Sequence, residues 1–140
     1  MKVVFDTNVV LDVLLDRAPH VGVAAKLFAL VDNGRVDGMI CATTVTTIFY
    51  IAARSFGRTR AHRQVHGVLA LFAIAPVDRD VLDRALDLEF EDFEDAVLHE
   101  AARSAGAAAI VTRDSAGFAS ATLPVVDPQE LLASIVAASE

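Results

Sequence analysis

Three short blocks of this 140-residue sequence carry side chains able to do chemistry: Asp6-Thr7-Asn8, Asp92-Phe93-Glu94-Asp95 and Thr112-Arg113-Asp114. Carboxylates dominate all three. A carboxylate is costly to desolvate unless a cation or hydrogen-bond donors surround it. Several carboxylates brought together repel one another unless a divalent cation lies among them. Hard oxygen ligands from separate elements suit Mg²⁺ or Mn²⁺, whereas zinc would call for Cys or His in number. Such ions generate a hydroxide nucleophile and stabilise in-line phosphoryl transfer, so metal-assisted phosphodiester hydrolysis is the chemistry indicated.

Each block also has an ordinary reading. Asp6 and Asp114 suit helix N-caps. Asp92 and Asp95, one turn apart, suit the positive end of a helix dipole. On that helix Asp92, Asp95, His99 and Arg103 form one stripe, with Phe93, Val97 and Ala101 on another face. A further stripe of Thr43, Thr47, Tyr50 and Arg54 lies on the helix after the second strand, where the threonines could instead bond back to the backbone. The ordinary readings must be invoked separately for every acidic block, while a shared site explains them together.

The elements that must position these residues alternate strand and helix. Val3–Phe5 is a buried strand running into Asp6, and an amphipathic helix follows over Val9–Leu15. Pro19 suits the first turn of a helix over Val21–Val31, closed by Asn33-Gly34. A second strand is expected at Asp37–Cys41, then helices from Thr43 to about Arg54 and over Arg60–Leu71, the latter basic on one side. Leu71–Val77 is a third strand blurred by Pro76, and Asp80–Leu88 a short helix. The acidic joint Glu89–Glu94 leads into a helix ending at Ser104-Ala105-Gly106. Ala107–Thr112 is the fourth strand, Leu123–Val126 a small fifth, and a last helix begins at Pro128. This is the pattern of one α/β domain over residues 1–140 with a mostly parallel sheet of four to five strands. In such sheets sites collect at the carboxyl ends of strands, where Asp6 and Asp114 both fall.

Composition narrows the classes. Apolar residues make up 54%, ample for a core, and no apolar run approaches the ~18 residues that span a bilayer. Cys41 stands alone, which fits a reducing cytoplasm. The formal charge of −7 counts against passive nucleic-acid binding through a broad basic face, although Arg54, Arg58, Arg60, His62 and Arg63 cluster. No Walker loop, dinucleotide fingerprint or Gly-x-Ser-x-Gly elbow occurs. A phosphoacceptor receiver domain would need a lysine ending the fifth strand, and the only lysines are Lys2 and Lys26.

Phe5-Asp6-Thr7-Asn8, Asp92-Phe93-Glu94-Asp95-Ala96 and Ile110-Val111-Thr112-Arg113-Asp114 resemble, in order and spacing, the signature blocks of PIN domains. These are small metal-dependent ribonucleases that include the VapC-type toxins of bacterial toxin–antitoxin pairs. The resemblance implies a three-layer α/β/α sandwich with strand order 3-2-1-4-5 and an acidic cluster that binds Mg²⁺ or Mn²⁺ and cleaves single-stranded RNA. Carried over, Asp6, Asp95 and Asp114 are metal ligands and catalytic residues, Asp92 is an additional catalytic acid that holds the metal directly or through water, and Asn8 and Thr112 are the polar partners of the first and last aspartates. A homodimer and an antitoxin partner are also implied.

One position departs from the pattern. Many PIN domains carry an acid on the helix after the second strand, where this sequence has Thr47. A hydroxyl is a weaker ligand and cannot act as a general base, so Asp92 is expected to make up the charge. Tyr50, Arg54, Arg58 and Arg113 are candidate contacts to RNA, by stacking or to phosphate. The alternative function is a catalytically silent PIN module that binds RNA or protein.

Overall fold

The structure, a computed structural model, describes residues 1–139. Five parallel strands form one sheet: β1 (Lys2–Phe5), β2 (Asp37–Cys41), β3 (Ala73–Ala75), β4 (Ala109–Val111) and β5 (Val125–Val126), in the order β3-β2-β1-β4-β5. Between them run α1 (Thr7–Leu14), α2 (Val21–Asp32), α3 (Ala42–Phe56), α4 (Arg58–Leu71), α5 (Arg79–Leu86) and α6 (Phe93–Ser104). A 3-10 turn (Ser115–Phe118) follows β4, and α7 (Pro128–Ala138) follows β5.

The period-two alternation of the strands sorts the core into two layers. Val3 and Phe5 of β1, Ile40 of β2 and Val111 of β4 point to one face, where α1, α2, α3, α4 and α7 pack. Val4, Met39, Cys41 and Ile110 point to the other, covered by α5, α6 and the 3-10 turn. The result is a three-layer α/β/α sandwich. On the first face Phe5, Phe28 and Phe72 meet edge to face with centroids 5.0–6.2 Å apart; such pairs add about 0.5–1.5 kcal/mol each beyond burial.

Asp12 is the exception to apolar packing in α1. It is 1% exposed, and its carboxylate accepts hydrogen bonds from Arg17 Nε at 2.9 Å and from Arg113 Nε and Nη2 at 2.6 and 3.0 Å. This ion-paired cluster ties α1 to the segment leaving β4.

Element order agrees with the sequence pattern, and boundaries shift where apolar runs overstate strands. Leu71 completes α4, and β3 stops before Pro76, which has no N–H to give a ladder. β4 begins two residues after Ala107, which follows the positive-φ turn at Gly106. Pro19 lies in a turn ahead of α2, outside its first turn.

Candidate functional site

β1 and β4 are neighbours at the centre of the sheet, so the residues that follow them emerge side by side. Asp6 is 7% exposed and caps α1: its Oδ1 accepts from Thr7 N at 2.7 Å. Its Oδ2 accepts from Thr112 Oγ1 at 2.7 Å and from Asn8 Nδ2 at 3.3 Å. Asn8 Nδ2 also donates to Thr112 Oγ1 at 3.2 Å, and Asn8 Oδ1 accepts from the Arg113 backbone N–H at 3.3 Å. Thr112 Oγ1 accepts in turn from the Asp114 N–H at 3.0 Å. This chain of bonds fixes the two strand ends to one another.

Asp92 and Asp114 are caps as well. Asp92 Oδ1 accepts from Asp95 N at 3.1 Å and opens α6, while Asp114 Oδ1 accepts from Gly117 N at 3.2 Å and opens the 3-10 turn. The capping reading of each acid is therefore correct, and it excludes nothing, because the capped ends converge. Asp6, Asp92, Glu94, Asp95 and Asp114 all line one open pocket, together with Thr7, Asn8, Thr47, Arg17 and Arg113. Backbone N–H dipoles at the starts of α1 and α6 offset part of the carboxylate repulsion there.

The remaining repulsion shows in Asp95. Burial, and then the charges of Asp6, Asp92, Asp114 and Glu94, push its carboxyl up to about 7. Asp6 is raised by burial and by Asp114 and Glu94, against hydrogen bonds from Thr112 and Thr7 that lower it. A carboxylate cluster under this strain favours a cation.

Among the described residues no group of three or more His, Cys, Asp or Glu side chains closes into a metal shell as it stands. The donor set still fits a hard divalent ion. Asp95 Oδ2 and Asp114 Oδ2 lie 2.9 and 2.7 Å from the point a Cβ on Gly117 would occupy, so they face a common space kept clear by that glycine. All available donors are oxygens, in a pocket open enough for water to complete the coordination.

Thr47 lies on the pocket wall as the pattern suggested, but its partner was missed. Its Oγ1 is 3.1 Å from Glu94 Oε1 and 3.2 Å from the Thr43 carbonyl oxygen, so a single hydroxyl hydrogen serves both. Glu94, and not Asp92, is the carboxylate that reaches the Thr47 position. Asp92 spends an oxygen on its cap, one turn further out.

Other expected site residues fall elsewhere. Arg113 borders the pocket, yet its guanidinium is held by Asp12. Tyr50 is 66% exposed on α3, and neither it nor Arg54 or Arg58 lines the acidic pocket. His99, placed on the acidic stripe by spacing, is fully buried. Its Nδ1 bonds Glu100 Oε2 at 2.8 Å and its Nε2 accepts from Thr122 N at 3.0 Å, so it ties α6 to the loop before β5.

A family model described as PIN domain matches residues 2–116. No curated protein sequence matches the chain significantly. Solved structures with this fold include VapBC2 from Rickettsia felis bound to a promoter DNA fragment, with a TM-score of 0.71, 12% identity and 91% and 98% of the two chains covered. A toxin–antitoxin complex from Klebsiella pneumoniae gives 0.69, 22% identity and 90% and 97% coverage. Mycobacterium tuberculosis VapC20, described as a sarcin-ricin loop cleaving toxin, gives 0.62, 16% identity and 77% and 86% coverage.

Proposed function

The chain belongs to the PIN-domain family, and from that premise we propose that it is a Mg²⁺- or Mn²⁺-dependent endoribonuclease acting on single-stranded RNA, the toxin of a toxin–antitoxin pair. The observation that carries this reading is the convergence of Asp6, Glu94, Asp95 and Asp114 on one pocket, with the Asp95 carboxyl pushed up to about 7 by burial and then by its acidic neighbours. The toxin–antitoxin complexes of the same fold, and the VapC20 structure described as a sarcin-ricin loop cleaving toxin, support the physiological setting. An antitoxin protein and a second copy of the chain are the partners this setting calls for, in the cytoplasm.

Asp6, Asp95 and Asp114 would hold the ion directly. Glu94 takes the place of the acid that Thr47 does not supply, with Asp92 at the rim. The ion held there would supply an activated water for attack and offset charge developing on the scissile phosphate. The chain's own residues prepare the site. Thr112 and Asn8 donate to Asp6 Oδ2 and Thr7 N–H to Oδ1, which holds the carboxylate in one orientation and leaves a lone pair on Oδ1 for a cation. Thr47 holds Glu94 Oε1, and the other carboxylate oxygen of Glu94 remains available to accept a proton at the pocket wall. Arg17 and Arg113, fixed by Asp12, put positive charge on the same wall, where an anionic strand would lie.

The test is Mn²⁺-dependent cleavage of single-stranded RNA by the wild type and by Asp6→Asn, with cation binding followed by calorimetry. Loss of both in the variant is expected. Equal cleavage by the two proteins overturns the assignment, and an absence of Mn²⁺ binding by the wild type favours a silent module.

A further inference from the structure

From Gly38 to Val77 the sequence contains no Asp or Glu, and it carries Arg54, Arg58, Arg60 and Arg63 with His62 and His66. This acid-free stretch is formally +4 in a chain of −7, so all other residues together hold −11. It runs from β2 to β3, and all its basic side chains lie on the α3–α4 hairpin between them, joined at Gly57. The whole-chain charge conceals this asymmetry.

The four arginines differ from most of those elsewhere, Arg35 being the other exposed arginine without an ion pair among the described residues. Arg17, Arg79, Arg84, Arg103 and Arg113 each form an ion pair with a carboxylate. Among the described residues Arg54, Arg58, Arg60 and Arg63 form none, and all are exposed. Arg60 Cζ lies over the Phe56 ring, 3.8 Å from its centroid, which stiffens one guanidinium without neutralising it. Phe49, Arg58, Thr59, His62 and Arg63 line a concavity of about 350 Å³. Cations desolvated by no partner and grouped around an aromatic floor are the chemistry of a polyanion site.

Position links this surface to the acidic pocket. Thr47 lies on the pocket wall, and Tyr50 and Arg54 follow it at i+3 and i+7 on one face of α3. That face covers two turns, about 10 Å. Tyr50, two-thirds exposed, stands midway with its ring edge on to Phe49 (5.6 Å).

We propose that the α3–α4 hairpin binds the sugar–phosphate backbone of single-stranded RNA, with Arg58 and Arg63 taking phosphates in the concavity beside Phe49 and Tyr50 offering a stacking face on the path to the acidic pocket. The choice of RNA over an acidic protein segment follows from the aromatic–arginine mixture and from continuity with a pocket suited to phosphodiesters. This rests on the nuclease reading for its substrate, while the surface itself is tested without catalysis.

The experiment measures anisotropy of a short labelled oligouridylate with the full chain in EDTA, over a series of salt concentrations. The proteins compared are the wild type and Arg58→Gln/Arg63→Gln. Loss of two phosphate contacts is expected to weaken binding at least about tenfold at low salt and to flatten the log–log salt slope by about 1.4. Both arginines are exposed, so an unchanged thermal melt is expected and separates binding from folding. Unchanged affinity and slope overturn the proposal. Displacement of the RNA by polyglutamate as readily as by unlabelled oligouridylate also overturns it, in favour of an acidic protein partner. A wild type that cleaves with Mn²⁺ but is indifferent to the double substitution removes this surface and leaves the nuclease. One that binds in EDTA, loses affinity in the variant and never cleaves removes the nuclease and leaves this surface.

Discussion

Thr47 Oγ1 stands 3.1 Å from Glu94 Oε1, which joins the helix after the second strand to the helix that carries Asp95. A short neutral side chain on α3 thus positions an acid delivered from the opposite layer of the sandwich. Glu94→Gln is expected to lower Mn²⁺-dependent RNA cleavage at least about tenfold, or about 1.4 kcal/mol of transition-state stabilisation. Asp92→Asn keeps the cap, since Asn caps as well as Asp, and is expected to cost less than about threefold. Initial-rate assays of the two variants decide the matter. The reverse ranking would return the compensating role to Asp92.

Asp95 sets a pH dependence of stability. Its carboxyl is pushed up to about 7 by burial and by Asp6, Asp92, Asp114 and Glu94, whereas an unfolded Asp titrates near 4. The folded state therefore holds the proton more tightly. That stabilisation is complete below about pH 4 and is lost as pH rises through about 7. In EDTA, Asp95→Asn is expected to flatten the fall in Tm between about pH 5 and 8, by an amount equivalent to about 1–2 kcal/mol because water reaches the open pocket. Mn²⁺ competes with the proton, so it is expected to raise the wild-type Tm more at pH 8 than at pH 5. Parallel Tm–pH curves for wild type and variant in EDTA would contradict this.

Gly117 has ordinary negative-φ backbone, so its value lies in what it leaves empty. A methyl there meets Asp114 Oδ2 and Asp95 Oδ2 at 2.7 and 2.9 Å, closer than carbon and oxygen tolerate. The carboxylate ends are exposed enough to swing aside, so Gly117→Ala is expected to change Tm by less than about 3 °C. Spreading the two acids is expected to weaken Mn²⁺ binding at least about tenfold. Calorimetric titration measures this directly, and unchanged affinity would remove the two aspartates from a shared coordination sphere.

The fold was largely legible because strand and helix periods alternate cleanly, and a buried parallel sheet writes itself as short apolar runs such as Val3-Val4-Phe5. The convergence of Asp6 and Asp114 followed from strand ends. Helix-face geometry was less accessible. Glu94 and Asp92 differ by two residues, and which of them meets Thr47 depends on where the capped first turn of α6 begins. Asp12 gave a signal that passed unused: an acid inside the apolar run Val9–Leu15 needs a partner, and the partners, Arg17 and Arg113, lie 5 and 101 residues away. The second distance explains why spacing could not foresee that Arg113 is engaged. His99 misled for the opposite reason, since its spacing is amphipathic but its imidazole is sealed between Glu100 and Thr122.

The first strand of the chain is the middle strand of the sheet, paired with β2 and with β4, whose registers place Val4 against Met39 and Ile110. During synthesis β1 leaves the ribosome before the other strands of the sheet and must wait for more than a hundred residues before its second neighbour exists. Contacts this distant in sequence close late, after loop entropy has been overcome. Asp6 consequently meets Thr112 and Asp114 only when β4 has inserted beside β1, and until then the acids are scattered along an open chain. The order of strands thus makes the insertion of β4 beside β1 the step that joins the two halves of the site.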